Sequence, residues 1–186
     1  MIWRKVGTLL FVVCLFSGQA FAAKVEGAKF PDEVKIADHE LVLNGAGRRT
    51  FFGIGAYVAG LYLEQKSSDA AKIVDADEPM DIRLVVTSFM VSRNMMKDGF
   101  LVDFKKNGTD TAPIKSKIDE FVASFDGLKD HDIYDFAYVP NEGVEVLRNG
   151  KTLSVVRGIE FKKALYAIWL GQEPVQKELK EGMLGK

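Results

Sequence analysis

The chain has 186 residues, of which 47% are hydrophobic, with 25 basic and 26 acidic side chains and one cysteine, Cys14. This length is enough for a single domain with a substantial apolar core. The near balance of charge excludes the basic excess that is typical of nucleic-acid-binding proteins.

The first residues have the pattern of a cleavable secretory signal peptide. Arg4 and Lys5 precede an apolar run, and Ala20-Phe21-Ala22 has the small residues that signal peptidase accepts. The apolar run is shorter than the roughly 20 residues that span a bilayer, which disfavours an uncleaved anchor. We therefore predict a signal peptide over residues 1–22, export to the periplasm, and no stable membrane span after cleavage.

Cleavage after Ala22 removes Cys14 and two of the basic residues, which leaves 23 basic and 26 acidic side chains. An exported chain without cysteine has no disulfide, so its fold must depend on its core. No repeat or linker divides the remainder. We predict one domain over residues 23–186.

Extended segments are predicted first in the mature chain. The segment from Val34 to Leu43 is interrupted at Asp38-His39, and an apolar or small-residue run extends from Phe51 to Leu63. That run has apolar residues at both odd and even positions, which predicts a strand covered on both faces. Its glycines and alanines leave room for another part of the chain to approach closely.

The middle of the chain mixes helices with a strand. A helix begins after Asp69, and a strand with alternating apolar residues follows Pro79. Ser92 can cap a helix that extends to about Lys106, and Pro113 opens another. The apolar stripes of these two helices are Met96, Phe100 and Phe104, and then Ile114, Ile118, Phe121, Val122 and Phe125.

The last third returns to strands before it ends in helices. A strand through Phe136 precedes a hairpin whose Asn149-Gly150 pair predicts a type I′ turn. The residues from Gly158 to Leu170 predict a buried helix, and a last helix is expected from Pro174 to Gly182. Strands, helices, strands and helices in this order predict an α+β fold, with an antiparallel sheet and helices on one face.

Conventional catalytic and metal-binding motifs are missing from the sequence. His39 and His131 lie far apart, and no His, Cys or carboxylate spacing suggests a metal site. Gly45-Ala46-Gly47 precedes a strand rather than a helix, which argues against dinucleotide binding. Methionines at positions 90, 95 and 96 suit either a ligand cavity or ordinary core packing.

Arg49 is a candidate ligand-binding residue, depending on where the chain turns. If the turn lies at Phe52-Gly53-Ile54, residues 51 and 55 pair, as do Arg49 and Tyr57, whose Cβ atoms then lie about 5 Å apart. A guanidinium beside a phenol can hold a carboxylate or a phenolate. If the turn lies instead at residues 45–47, the two side chains are about 26 Å apart and Arg49 merely ends a strand at the surface.

Two segments resemble the chalcone isomerase superfamily. They are Leu43-Asn44-Gly45-Ala46-Gly47-Arg48-Arg49 and Tyr57-Val58-Ala59-Gly60-Leu61-Tyr62-Leu63-Glu64. The segment from Phe161 to Gly171, with Pro174-Val175, is similar to bacterial chalcone isomerase-like proteins. The resemblance covers nearly all of the mature chain. It implies an open-faced β-sandwich, in which a large antiparallel sheet has a layer of helices on one face and a ligand cleft lies between them, with no cofactor.

The resemblance also implies roles for individual residues. Arg49 falls on the family's arginine, and Tyr57 replaces the threonine of the isomerases, as in the family's non-catalytic, fatty-acid-binding branch. The tyrosine and asparagine of the isomerases align with Ser92 and Gly99.

These matches imply a non-catalytic protein that binds an apolar carboxylate, such as a fatty acid, through Arg49 and Tyr57. The ligand's tail would lie along Phe100 and Phe104. The alternative is a cofactor-free isomerase, an intramolecular lyase that acts on a phenolic substrate.

Overall fold

The computed structural model describes residues 22–25, 27–51, 53–107 and 110–186. The predicted signal peptide therefore lies outside the described residues, apart from Ala22. Within these residues the strands are β1 (Ala22–Val25), β2 (Ala28–Pro31), β3 (Glu33–Ile36), β4 (His39–Phe51), β5 (Ile54–Leu63), β6 (Met80–Val86), β7 (Ile133–Val139), β8 (Gly143–Arg148) and β9 (Lys151–Val156). The helices are α1 (Ala70–Asp75), α2 (Arg93–Lys106), α3 (Lys115–Ala123), α4 (Ile159–Leu170) and α5 (Lys177–Met183).

Strands β3 to β9 form one antiparallel sheet in which each strand pairs with the next in the sequence. Strands β1 and β2 form a separate hairpin. The predicted α+β fold, with a large antiparallel sheet and a layer of helices, is confirmed. No helix among the described residues combines the length and the apolar character that crossing a membrane requires.

The β4–β5 hairpin decides between the two positions considered for the turn. β4 continues through Gly45-Ala46-Gly47, so the alternative that placed the turn there is wrong. The chain reverses at Gly53, which adopts a φ of +78°. Phe51 pairs with Ile54, not with residue 55 as predicted, because only two residues separate the paired positions at the turn instead of the three expected.

The bulge in β5 restores the predicted partnership further along the hairpin. Thr50 pairs with Gly55, the register then shifts by one residue at Ala56, and Arg49 pairs with Tyr57. The extra residue changes which side chains of β5 face the same side of the sheet as those of β4. Arg49 and Tyr57 consequently lie on the same face.

Helix α5 packs closely against the glycines of β4. A Cβ atom at Gly47 would lie only 2.9 Å from the carbonyl oxygen of Leu179, and one at Gly45 would collide with the Gly182 carbonyl. Asn44 fixes the same contact, because its side-chain amide donates to the carbonyls of Ser67 and Met183. The closest approach of a helix backbone to small residues thus occurs on β4, which the sequence did not predict, since it placed such an approach on the run from Phe51 to Leu63.

Two of the helix starts were predicted from capping residues. Asp69 accepts a hydrogen bond from the backbone of Lys72 in α1, and Ser92 accepts one from the backbone of Met95 in α2. The last helix begins at Lys177 rather than at Pro174 as predicted. The delay occurs because the Val175 N–H donates to the Ile168 carbonyl at 2.7 Å and holds this segment against α4.

Aromatic rings dominate the core between the sheet and the helices. The Phe100 ring lies 5.0 Å from both Phe121 and Phe125 and 5.8 Å from Trp169, measured between ring centroids. Trp169 stacks in turn on Phe136 of β7 at 5.9 Å. The predicted apolar stripes of α2 and α3 thus form the core, and α4 contributes its buried face.

The opposite face of the sheet has its own smaller core beneath the β1–β2 hairpin. Phe30 of β2 is fully buried, and its ring occupies the space that a side chain at Gly60 would need. The Tyr62 hydroxyl donates to the Pro31 carbonyl at 2.9 Å. The prediction that the strand within the run from Phe51 to Leu63, β5, is covered on both faces is confirmed.

A buried lysine joins helix α4 to the end of α1. The Lys162 ammonium donates to the carbonyl oxygens of Ile73, Val74 and Ala76 at 2.7–3.0 Å. These carbonyls have no partner within their own helix, because α1 ends there. Burial lowers the pKa of Lys162 to about 8, yet all three of its donors are satisfied when it is charged.

Lys162→Met should lower the free energy of unfolding by about 2–4 kcal/mol, because three carbonyl groups lose their donor. Urea denaturation at neutral pH measures this change. Lys163→Met is the matched control, since Lys163 is 40% exposed and forms only a surface ion pair with Asp75. Equal effects of the two substitutions would contradict this role of Lys162.

Candidate ligand-binding site

A cavity of about 450 Å³ lies between the tip half of the β4–β5 hairpin and helix α2. Its volume falls within the roughly 300–1,000 Å³ range of small-molecule sites in proteins. Most of its walls are apolar. The apolar residues of the walls are Phe51, Ala56, Val91, Met95, Met96, Phe100, Val102 and Val175.

Arg49 and Tyr57 both line this cavity. They are cross-strand partners on β4 and β5, so one element, the hairpin, positions both. Arg49 Nη1 donates to Gln176 Oε1 at 3.3 Å, and the same oxygen accepts the Thr50 N–H at 2.9 Å. Gln176 therefore ties the guanidinium to the hairpin backbone.

The Tyr57 hydroxyl is held by a donor from the core. Trp169 Nε1 donates to it at 3.1 Å, and Tyr57 is only 7% exposed. An indole N–H can only donate, so the proton of the Tyr57 hydroxyl is not used in this bond. No acceptor for that proton is found among the described residues. The hydroxyl is therefore able to donate to an acceptor in the cavity.

Burial also fixes the protonation state of this phenol. It raises the pKa of Tyr57 well above the ordinary tyrosine value, and the Trp169 hydrogen bond and the charge of Arg49 oppose the rise only in part. Tyr57 consequently remains a neutral donor at physiological pH. An occupant of the cavity meets a fixed cation at Arg49 and a fixed O–H donor beside it.

Two acidic residues of α2 also line the cavity. Asp103 forms an ion pair with Lys106 at 2.8 Å, one turn along the same helix, and Asp98 is exposed. Asp103 is close enough for its charge to raise the pKa of Tyr57. Lys106 neutralises much of this negative charge, and Arg49 is the cation on the opposite wall.

The structure brings together only part of the predicted tail site. Phe100 lines the cavity, whereas Phe104 is 1% exposed, packs on Phe121 and Phe161, and is not part of the cavity wall. Of the methionines, Met95 and Met96 line the wall, and Met90 does not.

Ser92 and Gly99, which align with the tyrosine and asparagine of the isomerases, contribute no side chain to the cavity. Ser92 uses its hydroxyl to cap α2. Gly99 lines the cavity and has open space where a Cβ would lie.

Gln176 and Trp169 are residues of the site that the sequence did not reveal, and Trp169 is the more deeply buried of the two. Nothing near it in the chain marks it, because its partner Tyr57 is 112 residues away. Histidines take no part in the site: His39 contacts Glu64 at an exposed position. Among the described residues, no cluster of His, Cys, Asp or Glu is arranged to hold a metal ion.

Comparison with known proteins identifies related folds. A family model described as chalcone isomerase-like matches residues 22–185. Among solved structures, the crystal structure of a fatty-acid binding protein from Arabidopsis thaliana is similar, with a TM-score of 0.69 and 18% sequence identity. The match covers 88% of this chain and 96% of that chain, and at this identity it concerns the fold alone. No curated protein matches the sequence.

The hydrogen bond between Trp169 and Tyr57 should be measurable as a coupling energy. In a double-mutant cycle of Trp169→Phe and Tyr57→Phe, we expect a coupling of about 1 kcal/mol in the free energy of unfolding. Urea denaturation of the four proteins measures it. The cycle of Trp169→Phe with Tyr62→Phe is the control and should be additive, because Tyr62 bonds on the other face of the sheet. Additivity in both cycles would contradict the bond.

Proposed function

Because the chain belongs to the chalcone isomerase-like family, as its sequence predicted, we propose that it is an exported, non-catalytic protein that binds an apolar carboxylate such as a fatty acid. Arg49 and Tyr57 hold the carboxylate in this proposal. The observation that carries it is the pairing of these two residues on one wall of an otherwise apolar cavity. The fatty-acid binding protein of the same fold supports this class of ligand.

The chemistry of the two residues suits a carboxylate head group. The Arg49 guanidinium presents a planar fork of donors that matches the two oxygens of a carboxylate. The Tyr57 hydroxyl adds a donor whose other contact, with Trp169, is already made. A hydrogen bond to a charged group typically contributes about 1.5–3 kcal/mol, so this end of the site supplies affinity as well as orientation.

The remaining walls suit an aliphatic tail. Val91, Met96 and Phe100 present apolar surface to the cavity, and the flexible methionine adapts to tails of different shape. Each buried CH₂ contributes about 0.8 kcal/mol, so several methylenes together outweigh the head-group contact. The head-group contacts thus orient the ligand and add affinity, and the tail supplies most of the binding free energy.

Replacing Arg49 tests the head-group contact directly. After removal of co-purified lipid, Arg49→Ala should bind a fatty acid at least about tenfold more weakly than the wild type, because a charged hydrogen bond is lost. Isothermal titration calorimetry measures both affinities. Arg48→Ala is the matched control, since it removes the same charge one residue away, on the opposite face of β4. A fatty alcohol of equal length should show a smaller loss with Arg49→Ala.

Equal affinity of the wild type and Arg49→Ala for the fatty acid would contradict the proposal. Native mass spectrometry of the purified protein provides a second check, because a co-purifying lipid mass that is absent from Arg49→Ala supports the same contact. The alternative, a cofactor-free isomerase, predicts that a chalcone loses its absorbance when mixed with the wild type, at a rate abolished by Arg49→Ala.

Asp103 provides a test of the sign of the ligand's charge. Because Asp103 lines the cavity and is close to Tyr57, Asp103→Asn should strengthen binding of a fatty acid by about two- to fivefold, as expected for a partly screened charge. The same variant should weaken binding of a fatty amine. Competitive titration with the two ligands measures both changes. Weaker fatty-acid binding by Asp103→Asn would contradict an anionic head group in this position.

A further inference from the structure

Exposed apolar side chains line the cavity or lie next to it. Of the nine large apolar side chains that are exposed among the described residues, three line the cavity and three more lie on the two turns beside it. We call these six residues the apolar collar: Phe51, Ile54, Phe89, Met90, Met95 and Val102. Three of them, Phe51, Met95 and Val102, also line the cavity, so the collar is continuous with its walls.

Two tight turns carry the protruding part of the collar. Phe51 and Ile54 pair at the tip of the β4–β5 hairpin and are each 48% exposed. Phe89 and Met90 occupy the centre of a turn closed by the Val91 N–H and the Ser88 carbonyl. Phe89 is 83% exposed, which is unusual for so large an apolar side chain.

The two turns are neighbours at one end of the sheet. The Thr87 N–H donates to the Ala56 carbonyl at 3.1 Å, which joins the segment before the second turn to the hairpin. Val91 follows that turn directly and lines the cavity. Both tips therefore project from the same end of the molecule, beside the opening.

Basic residues accompany this apolar surface. The segments 48–56 and 87–106 contain six basic residues and only two acidic ones, in a chain whose overall net charge is −1. Asp126, on the turn after α3, contacts Arg93 and Lys97 and neutralises part of the excess. The two segments taken together with Asp126 still have more basic than acidic side chains, six against three.

We propose that the apolar collar docks on an anionic lipid bilayer, with its turn tips inserted and the cavity mouth facing the lipid. Protruding apolar tips flanked by basic residues match the two attractions that hold peripheral proteins at such a surface, apolar burial and contact with anionic head groups. A flat apolar face would suit a protein partner better than two separate tips do. The inference goes beyond ligand binding, because it concerns where the cavity exchanges its contents.

Vesicle binding tests the docking surface. The protein as recovered from cells is mixed with vesicles of equal parts phosphatidylcholine and phosphatidylglycerol, or of phosphatidylcholine alone, and the bound fraction is measured by sedimentation. We expect stronger binding to the anionic vesicles, which weakens at high salt. Phe89→Ser and Ile54→Ser should each weaken the partitioning about tenfold, because each removes a side chain that inserts.

Val155→Ser is the matched control, because Val155 on strand β9 is 43% exposed but lies far from the collar in the sheet order. It should bind vesicles as the wild type does. All of these proteins share the same N-terminus, so any contribution from the apolar run near it cancels. The emission of Phe89→Trp should shift to the blue on addition of anionic vesicles, and that of Val155→Trp should not.

Three results would overturn the proposal: no binding to anionic vesicles, equal binding by Phe89→Ser and the wild type, or self-association in analytical ultracentrifugation that Phe89→Ser abolishes. The last result would assign the collar to a second copy of the chain. Fatty-acid titration of Phe89→Ser in solution separates this test from that of the proposed function. Wild-type affinity there, with vesicle binding absent, would leave the ligand site standing and remove only the docking surface.

Discussion

The β-bulge at Ala56 is the constraint on which the candidate site depends. With a two-residue turn at the tip and no extra residue, Arg49 would pair with Ala56, and Tyr57 would lie on the other face of the sheet. The bulge restores the pairing of Arg49 with Tyr57, and its own carbonyl accepts from Thr87 in the next segment. One inserted residue thus joins the two cavity-lining side chains to the loop that borders the cavity.

The two ends of the cavity differ in how firmly neighbouring residues hold their side chains. At the polar end, Tyr57 is held by Trp169, which stacks on Phe136 and packs against Phe100 in the aromatic core. At the open end, the exposed side chains lie on turns and on the outer face of α2. A rigid polar end and an opening lined by exposed side chains would suit the proposed ligand, in which one functional group is held tightly and the tails vary.

Local patterns in the sequence predicted much of this structure. Capping residues located the starts of α1 and α2, Asn149-Gly150 located a hairpin turn, and both Asn149 and Gly150 have the positive φ that a type I′ turn requires. Three features were not predictable from the sequence: where α5 starts, that Phe104 lies outside the cavity wall, and that Trp169 donates to Tyr57. Each depends on contacts between residues distant in the chain. The sequence also left two positions open for the turn, since glycines that accommodate a close helix look like glycines that form a turn.

The packing of α5 on the β4 glycines links three parts of the chain physically. Gln176, which precedes α5, accepts from both Arg49 and Thr50, and α5 lies against Gly45 and Gly47. A side chain at either glycine would push the helix outward and carry Gln176 away from the guanidinium. A substitution at Gly45 or Gly47, neither of which lines the cavity, would therefore change the orientation of Arg49 inside it.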